Sequence, residues 1–499
     1  MNSSKQIKWG ALLSYAAIAL NIISGLIYTP WMVNTIGDSQ YGLYTLANSL
    51  ITLFLVDFGL SAATSRYLSK YNAEGDKEGA ERFLGAVYKL YIVIDAIIFT
   101  VLLVLFFFLD TIYVNLTPQE LAQFKVVYVI SALFAVINFP FVTFNGILTA
   151  YEKFVPLKVA DLLYRIFNVG FTVVALLLGY GLYALVAVHA VAGLLILVFK
   201  FIVIKKTVPA KVRMKGSSKG MYKEIFSFSI WVTVSTLALR LVFNITPSIL
   251  GVVASSAAIA VFGIITTIEG YSYTITTAIN GMFMPKISRI MANSDTQENL
   301  NPLFLSVGKF QYALNGLIVA GFAVVGDSFI RLWMGEDYVL AYYGILLVTV
   351  PGLFYNSLQI ANTTMVVMKK VKVTAFVNVA TGLINVALSF PLSAIFGVTG
   401  ACISIFAAYM VRDVVLNIIY QKQLPLNIPA FVKGCYLRMS VPILFTVAVG
   451  VGINYLIADG GWMILICKAG IVVLIYLVSV LLFGLNGNER KALLGRLKR

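Results

Sequence analysis

The chain has 499 residues, of which 60% are hydrophobic and only 12% are charged, and its mean hydropathy is +0.91. Soluble proteins carry about 25% charged residues, so this composition excludes an ordinary soluble protein. The net charge of +16 does not indicate nucleic-acid binding, because the basic residues lie in short loops beside apolar segments, where they set membrane topology and contact anionic lipid headgroups.

Apolar segments recur along the whole chain, and each is long enough to cross a bilayer as a helix of about 20 residues. The first runs from Trp9 to about Ile27 without a signal-peptide cleavage site, so it is predicted to be a retained span. The sequence therefore predicts an all-α polytopic membrane protein with about 14 transmembrane helices. These lie near residues 9–33, 41–67, 83–109, 125–149, 158–179, 181–204, 224–250, 256–284, 302–326, 339–363, 371–395, 397–420, 438–458 and 462–484.

The connections between these spans alternate in charge. Every second connection is rich in Lys and Arg, and the other set contains only Lys125 and Arg331 as basic residues. Because basic residues near span ends are retained in the cytoplasm, the basic side, with both termini, is predicted to be cytoplasmic. The basic connections are residues 69–82, 151–158, 205–223, 285–309, 369–372 and 421–438.

A basic connector after the sixth span carries Gly, Ser and Pro and divides the chain. Thr29-Pro30 near the end of the first span and Thr246-Pro247 near the end of the seventh suggest a weak internal repeat. Six spans per repeat is an even number, so the repeats are predicted to be parallel. The predicted organisation is an N-terminal six-helix bundle at 1–204, the connector at 205–223, a second, pseudo-symmetric six-helix bundle at 224–420, and an extra helix pair with a basic tail at 421–499.

Ionisable residues within spans cost about 2.5–3.5 kcal/mol on insertion scales and usually face a cavity or a partner. Arg240 is the best candidate for contacting an anion, because a guanidinium binds phosphate bidentately and stays charged when desolvated. Asp57 and Glu269 lie too deep to reach the membrane surface easily and are the best candidates for a proton or sodium site. Asp95 in the third span is a further candidate.

For the other charged residues within the spans, a purely structural role is the alternative to a role in binding. Asp161 and Arg165 are spaced i,i+4, and they are interpreted, like Arg412 with Asp413, as pairs that hold helices together. Lys89 could extend along the protein towards the membrane surface.

No motif supplies catalytic chemistry. The chain has neither a Gly-x-x-x-x-Gly-Lys-Ser/Thr segment nor a His-Glu-x-x-His segment, and its three cysteines are scattered. The single histidine, His189, is interpreted as a buried imidazole with a satisfied hydrogen bond. We therefore expect no enzyme activity, no ATP hydrolysis and no bound metal cofactor.

Several segments resemble the polysaccharide (O-antigen type) flippases. Residues 29–44, TPWMVNTIGDSQYGLY, and 57–63, DFGLSAA, are similar to the opening of that family, where a G-x-x-x-Y-G-L-Y turn leads to D-x-G-L. Residues 145–154 are similar to the end of its fourth span, and residues 331–338 to its outer loop between the ninth and tenth spans. Asp57 matches the aspartate of D-x-G-L, a position that also has a structural interpretation.

The family belongs to the multidrug/oligosaccharidyl-lipid/polysaccharide exporter superfamily. The resemblance implies two six-helix bundles around a central cavity, and alternating access that moves an undecaprenyl-pyrophosphate-linked oligosaccharide outward across the bacterial inner membrane. It also implies a cationic cavity, which Arg240, Arg165 and Lys89 could supply, and H⁺ or Na⁺ gradient coupling in place of ATP. A polysaccharide polymerase and glycosyltransferases would be its partners.

Two alternatives stay open at this point. A multidrug/cation antiporter of the same superfamily would have the same architecture but an acidic cavity for cationic drugs. A membrane polymerase or ligase acting on a lipid-linked glycan is disfavoured, because such enzymes usually carry a large outer loop and the outer loops here are short.

Overall fold

The computed structural model describes residues 3–209, 211–216, 219–277, 287, 290–291, 296–368, 370–458, 460–487 and 489–490. The described chain is helical, and none of these residues lies in a strand. The predicted all-α class is confirmed. It follows from the apolar composition, because a backbone in lipid must satisfy its own hydrogen bonds. The chain divides into two units, Met1–Ala260 and Val261–Arg499. The predicted six-helix bundles and connector stay predictions.

The first unit is built from ten helices in the described residues and the first turn of an eleventh. They are α1 (Ser3–Ile36), α2 (Asp38–Phe54), α3 (Leu60–Glu74), α4 (Lys77–Ile112), α5 (Pro118–Asn138), a 3-10 turn (Phe139–Val142), α6 (Thr143–Ala150), α7 (Phe154–Leu177), α8 (Leu182–Thr207), α9 (Lys219–Phe243), α10 (Thr246–Val253) and the start of α11 (Ser256–Thr277). The main helix pairs are α1 with α7, α7 with α8, α3 with α6 and α2 with α5.

The second unit continues from α11. Its described elements are α12 (Thr296–Met334), a 3-10 turn (Glu336–Tyr338), α13 (Val339–Ser357), α14 (Gln359–Val367), α15 (Val371–Gln423), α16 (Ile428–Phe431), a π-helical turn (Val432–Leu437), α17 (Arg438–Leu456), α18 (Gly461–Ser479) and a π-helical turn (Val480–Gly484). α12 packs on α13, α17 and α18, and α13 packs on α15.

Polar side chains mark several helix starts. The Asp76 side chain accepts a hydrogen bond from the N–H of Gly79 at 2.7 Å at the start of α4. Thr117 and Glu120 form a reciprocal capping box at the start of α5, with Pro118 in its first turn. These caps satisfy backbone donors that have no partner within the helix.

The second predicted span, 41–67, is not one helix. α2 ends at Phe54, α3 begins at Leu60, and five residues lie between them. Phe58 and Gly59 have φ values of 54° and 66°, in the left-handed region that an α-helix does not use. The expectation of a continuous span is therefore wrong at 55–59, and a short non-helical segment lies inside an otherwise apolar stretch.

The predicted number of transmembrane spans differs from the number of described segments that could cross a membrane. Twelve described segments are long and apolar enough to cross a membrane, so the predicted count of fourteen is not confirmed. The broken second span does not qualify, because α2 and α3 have only 17 and 15 residues. Two other predicted spans, 371–395 and 397–420, lie in the 53-residue α15, which is broken at Gly397 by its φ of 57°.

Candidate functional site

The break between α2 and α3 carries two of the predicted site residues. The Arg240 side chain, near the end of α9, donates a hydrogen bond from Nη1 to the backbone oxygen of Thr52 in the last turn of α2. Asp57 lies within the break and interacts electrostatically with Arg240. The structure thus brings together a cation and an anion that are 183 positions apart in sequence, as the numbering shows.

Asp57 also accepts backbone hydrogen bonds at the start of α3, where Gly59 is the N-cap residue. Its Oδ1 accepts a hydrogen bond from the N–H of Gly59 at 2.7 Å, and its Oδ2 accepts one from the N–H of Ser61 at 3.4 Å. A carboxylate at a helix N-terminus and a cation at a helix C-terminus both complement the helix dipole. Asp57 and Arg240 therefore each stabilise one side of the break.

Neighbouring side chains hold the break in place. The ring of Phe58 packs edge-on against Phe139, with centroids 6.3 Å apart. The Ser61 hydroxyl donates to the backbone oxygen of Val142 at 3.2 Å, and the Ser229 hydroxyl donates to the backbone oxygen of Gly59 at 3.5 Å. The unusual φ values at 58 and 59 are thus supported from α9 and from the 3-10 turn before α6.

The chemistry available here is anion binding by a guanidinium. Arg240 has five N–H donors, and its hydrogen bond to Thr52 uses one of them. Broken helices with an exposed terminus are a recurring form of binding site in transporters, because they present backbone polar groups and charges within the membrane. We take the segment 52–61 with Arg240 as the candidate site of the first unit.

Arg165 has a different set of contacts. Its Nη2 donates to the backbone oxygen of Asn21 at 3.0 Å, its Nε to the Ser24 hydroxyl at 3.4 Å, and its guanidinium lies 6.0 Å from the Tyr28 ring. Arg165 therefore ties α7 to α1. The interpretation of an Asp161–Arg165 pair is wrong, because the described ion pairs of Asp161 join it to lysines. These are Lys158 at 3.2 Å and Lys200 at 4.0 Å.

Lys89 and Asp95 both lie on α4, which contacts the break through the Tyr91 hydroxyl, 3.5 Å from that of Ser61. In the described part of the chain, Lys89 forms no ion pair. One carboxylate oxygen of Asp95 is buried and has no hydrogen-bond partner among the described residues. The structure does not bring either residue to Arg240 through a described contact, so their predicted roles stay predictions.

Glu269 lies in the second unit on α11. It interacts electrostatically with Tyr273 and Tyr409, and both tyrosines also interact with Arg412. Glu269 therefore belongs to one charged and aromatic cluster on α11, α13 and α15. Sequence reasoning named Glu269 and Arg412 separately and did not connect them.

Arg412 is the most buried charge of that cluster, with no exposed side-chain surface. Its guanidinium lies between two rings, 3.9 Å from the centroid of Tyr355 and 4.1 Å from that of Tyr409. None of its three side-chain nitrogens has a hydrogen-bond partner in the described structure. The nearest acid oxygen, Oδ1 of Asp413, is 3.8 Å from Nε. Cation–π contacts and a loose ion pair therefore hold this charge.

The predicted pairing of Arg412 with Asp413 is present, but the rings that hold Arg412 were missed. One signal was available in the sequence, because Tyr409 and Arg412 are spaced i,i+3 and lie on the same face of a helix. Tyr355 is on another helix, and no local pattern identifies it.

His189 has the partner expected of a buried imidazole. Its Nδ1 lies 2.9 Å from the hydroxyl of Tyr164 on α7, and its ring packs edge-on against Tyr164 and Phe134. No group of three or more His, Cys, Asp or Glu side chains that could hold a metal occurs among the described residues.

Comparison with known proteins decides the family. Residues 8–291, more than half of the chain, match the family described as polysaccharide biosynthesis protein. The chain belongs to this polysaccharide biosynthesis family. The resemblance to a polysaccharide family inferred from the motifs at 29–44 and 57–63 is thereby confirmed.

Two curated relatives extend this result. The chain is 22% identical over 508 aligned positions to the "Uncharacterized membrane protein EpsK" of Bacillus subtilis, and the alignment covers 97% of this chain and 96% of EpsK. It is 24% identical over 184 positions to a "Putative O-antigen transporter" of Shigella flexneri, covering 37% and 43% of the two chains.

Two solved structures share the fold. One is the lipid II flippase MurJ in an inward closed conformation, with a TM-score of 0.75, 14% identity, and 98% and 99% of the two chains covered. The other is an inward-facing multidrug resistance MATE family transporter, with a TM-score of 0.69, 14% identity, and 87% and 99% covered. At 14% identity these structures show a shared fold, and the apolar helices of the described residues support a multi-pass membrane protein.

Proposed function

We propose that the protein is a flippase that moves an undecaprenyl-pyrophosphate-linked oligosaccharide from the cytoplasmic to the outer leaflet by alternating access. Its product would feed the assembly of a surface polysaccharide. Glycosyltransferases would supply the lipid-linked substrate, and a polysaccharide polymerase would consume it. The observation that carries this proposal is a guanidinium, Arg240, held at a helix break within the membrane in a chain of the polysaccharide biosynthesis family.

The pyrophosphate would be the group that Arg240 contacts. A guanidinium forms paired, charge-assisted hydrogen bonds with phosphate oxygens, and these are stronger than bonds between neutral groups. Arg165 and Lys89 would add positive charge for the same anion, while the sugars occupy a polar lumen and the prenyl chain stays in lipid. The short contact of Arg240 with Thr52 would keep its side chain oriented in the absence of substrate.

An ion gradient would drive the transport cycle. Asp57, Glu269 and Asp95 are the acids within membrane segments that we assign to H⁺ or Na⁺ coupling. Glu269 is supported by its neighbours, because it lies in a cluster with Arg412, whose permanent positive charge would experience a different electrostatic environment after protonation or ion binding at the acid. The sequence contains no ATP-binding motif that could supply an alternative source of energy.

The location we propose is the bacterial inner membrane, with both termini in the cytoplasm. Loop charge supports this orientation. Cysteines introduced at Lys211 and at Tyr180 test it: an impermeant thiol reagent added outside spheroplasts should label only the cysteine at 180. Labelling of the cysteine at 211 from outside would reverse the topology.

A cell-based assay tests the substrate. A strain that lacks this chain should accumulate lipid-linked oligosaccharide that an impermeant glycosidase cannot reach in spheroplasts, and the wild-type chain should restore access. Arg240→Gln should reduce the rate of restoration at least tenfold, because a charged hydrogen bond contributes about 1.5–3 kcal/mol and 1.4 kcal/mol corresponds to a factor of ten. Arg240→Lys should be intermediate.

Arg331→Gln is the matched control, because it removes the same charge from an exposed site where Arg331 pairs with Asp327 and Glu336. It should restore access at the wild-type rate. Restored access with Arg240→Gln at that same rate would contradict the role of Arg240, and full access in the strain without the chain would contradict the function.

One observation favours a second function. The fold matches a multidrug resistance MATE transporter with a TM-score of 0.69, and the cluster in the second unit contains the acids Glu269 and Asp413. A multidrug/cation antiporter would give overexpressing cells resistance to cationic drugs, and Glu269→Gln would abolish it. Unchanged drug susceptibility on overexpression would exclude this alternative.

A further inference from the structure

A groove of about 570 Å³ lies in the second unit, at the end of α15. Its walls are the last turns of α15 and the segment formed by α16 and the π-helical turn that follows. Binding sites for small molecules have volumes of about 300–1,000 Å³, so the groove is large enough for part of a lipid. Loop charge predicts this end of α15 to be cytoplasmic.

The groove is apolar in its body and basic at its rim. Ile418, Val432 and Leu437 line it, and Ile418 and Leu437 are 51% and 65% exposed despite being apolar. Lys422 and Lys433 also line it, and both are exposed; the remaining lining residues are Asn417, Gln421, Ile428 and Pro429. This division matches the two parts of a phospholipid, with an acyl chain on the apolar wall and a phosphate beside the lysines.

The two lysines differ from other cations near this end of the unit. Lys309 is bound to Glu489 at 2.8 Å, and Arg438 donates to the backbone oxygen of Leu485 at 2.9 Å. Within the described part of the chain, neither Lys422 nor Lys433 has an ion pair. Two unpaired positive charges beside an apolar groove are complementary to one anionic headgroup.

The backbone beside the groove also has an unusual helical conformation. Residues Val432–Leu437 form a π-helical turn between α16 and α17. π-Helical turns are rare and occur frequently at functional sites, since the extra residue widens the helix and redirects side chains. Val432, Lys433 and Leu437, which are in this turn, all line the groove. The turn thus places the cation and both apolar side chains on one surface.

We propose that this groove binds an anionic phospholipid of the membrane, with its phosphate between Lys422 and Lys433 and one acyl chain along Ile418, Val432 and Leu437. Basic pockets between transmembrane helices on the cytoplasmic side are suited to anionic lipid headgroups. The lining of the groove includes neither Arg240 nor Arg412, and the proposal does not depend on the transported substrate.

Native mass spectrometry of the purified full-length chain tests the proposal. Phosphatidylglycerol and phosphatidylcholine with the same acyl chains are titrated separately, and the ratio of their dissociation constants gives the preference for the anionic lipid. Lys422→Gln/Lys433→Gln should reduce this preference about 30-fold, which corresponds to about 2 kcal/mol for two lysines. Ile418→Trp, which fills the groove and keeps both lysines, should weaken binding of both lipids at this site.

Lys205→Gln/Lys206→Gln is the matched control, because it removes two exposed lysines at the end of another span, α8. In this control variant, the ratio of the dissociation constants of phosphatidylcholine and phosphatidylglycerol should stay at the wild-type value. The proposal is overturned if both double variants lose the preference equally, since the attraction is then a property of the whole basic face. It is also overturned if undecaprenyl phosphate binds at the groove and phosphatidylglycerol does not displace it.

Discussion

At the scale of single residues, Asp57 has two roles that one substitution series can separate. Its carboxylate accepts hydrogen bonds from the N–H groups of Gly59 and Ser61, and its charge is close to Arg240. An asparagine keeps an oxygen acceptor for the backbone but has no charge and cannot take up a proton.

We expect Asp57→Asn to fold with nearly wild-type thermal stability and to lose gradient-driven transport. Asp57→Ala should lose both, with a stability loss of about 1 kcal/mol for the missing hydrogen bonds to Gly59 and Ser61. Thermal unfolding in detergent and transport with an imposed ion gradient measure the two effects. Wild-type gradient dependence in Asp57→Asn would show that Asp57 acts only through its backbone hydrogen bonds at the break.

Arg412 is a second residue whose environment leads to a test. A buried ion pair loses about 3–5 kcal/mol when one partner is removed, because the other charge stays buried without compensation. Arg412→Leu should therefore destabilise the protein strongly. Arg412→Leu/Asp413→Leu should recover most of that loss, as thermal unfolding of the single and double variants can show.

Tyr409→Phe serves as the control, since it keeps the ring that contacts the guanidinium at 4.1 Å. Its stability should be close to the wild-type value. If the effects of the two leucine substitutions simply add, Arg412 and Asp413 are not coupled.

Most individual charges of interest could be found from the sequence, because a charge within an apolar span is conspicuous. Apart from Asp413 beside Arg412, their partners could not be found in this way. Arg165 contacts α1 through Asn21 and Ser24, and Arg412 lies against Tyr355 of another helix. Such contacts depend on which helix faces pack together, and hydropathy does not contain that information.

At the scale of helices, the break at 55–59 is the central element. Apolar composition predicts a continuous span, and the segment's own turn residues, Asp57 and Gly59, oppose it. The turn residues determine the outcome because Asp57 accepts hydrogen bonds from the Gly59 and Ser61 N–H groups at the start of α3, while Arg240 donates to a carbonyl at the end of α2. The D-x-G-L motif was therefore a structural signal as well as a family signal.

Gly59→Ala should destabilise the protein by about 1–2 kcal/mol, because a residue with a Cβ is strained at a φ of 66°. The measurement is thermal unfolding in detergent. Gly170→Ala is the matched control within α7, where a Cβ would meet no heavy atom within 4 Å. That variant should be neutral or slightly stabilised. An equal loss in both variants would contradict the strain at 59.

The segment after α18 gives a prediction for acidic pH. Burial alone would raise the pKa of Glu489. The Asn486 N–H, at 2.7 Å, and Lys309 donate hydrogen bonds to its carboxylate, and the positive charges of Lys309 and Arg438 attract it. These interactions outweigh burial and lower the pKa of Glu489. The pKa of Glu489 is thus lower in the folded chain than the value of about 4.3 expected in the unfolded chain, so the ionised carboxylate stabilises the folded chain above about pH 4.3. This stabilisation is lost as the pH falls through the folded-state pKa.

Thermal stability measured between about pH 6 and pH 3 should therefore fall less steeply in Glu489→Gln than in the wild-type chain. Glu74→Gln, which removes an exposed glutamate 3.9 Å from Lys70, should follow the wild-type curve. Identical slopes in the wild type and Glu489→Gln would show that this contact does not stabilise the folded chain.

At the scale of the whole molecule, the class of protein was predictable and the number of spans was not. Composition and loop charge are sufficient for a polytopic helical protein. The predicted count of fourteen is not confirmed, because the second predicted span is broken at 55–59 by a few dihedral angles within an apolar stretch, whereas the break at Gly397 lies at the predicted boundary between 371–395 and 397–420. The family followed from residues 29–63, which lie within the matched range 8–291.

Reconstituted transport tests the central claim most directly. Purified protein is placed in liposomes with a fluorescent undecaprenyl-pyrophosphate-linked oligosaccharide, and an impermeant quencher or glycosidase reports the fraction that has crossed the bilayer. Our account predicts crossing that is faster than in protein-free liposomes, that increases with an ion gradient, and that is at least tenfold slower with Arg240→Gln. Crossing no faster than in protein-free liposomes would contradict it.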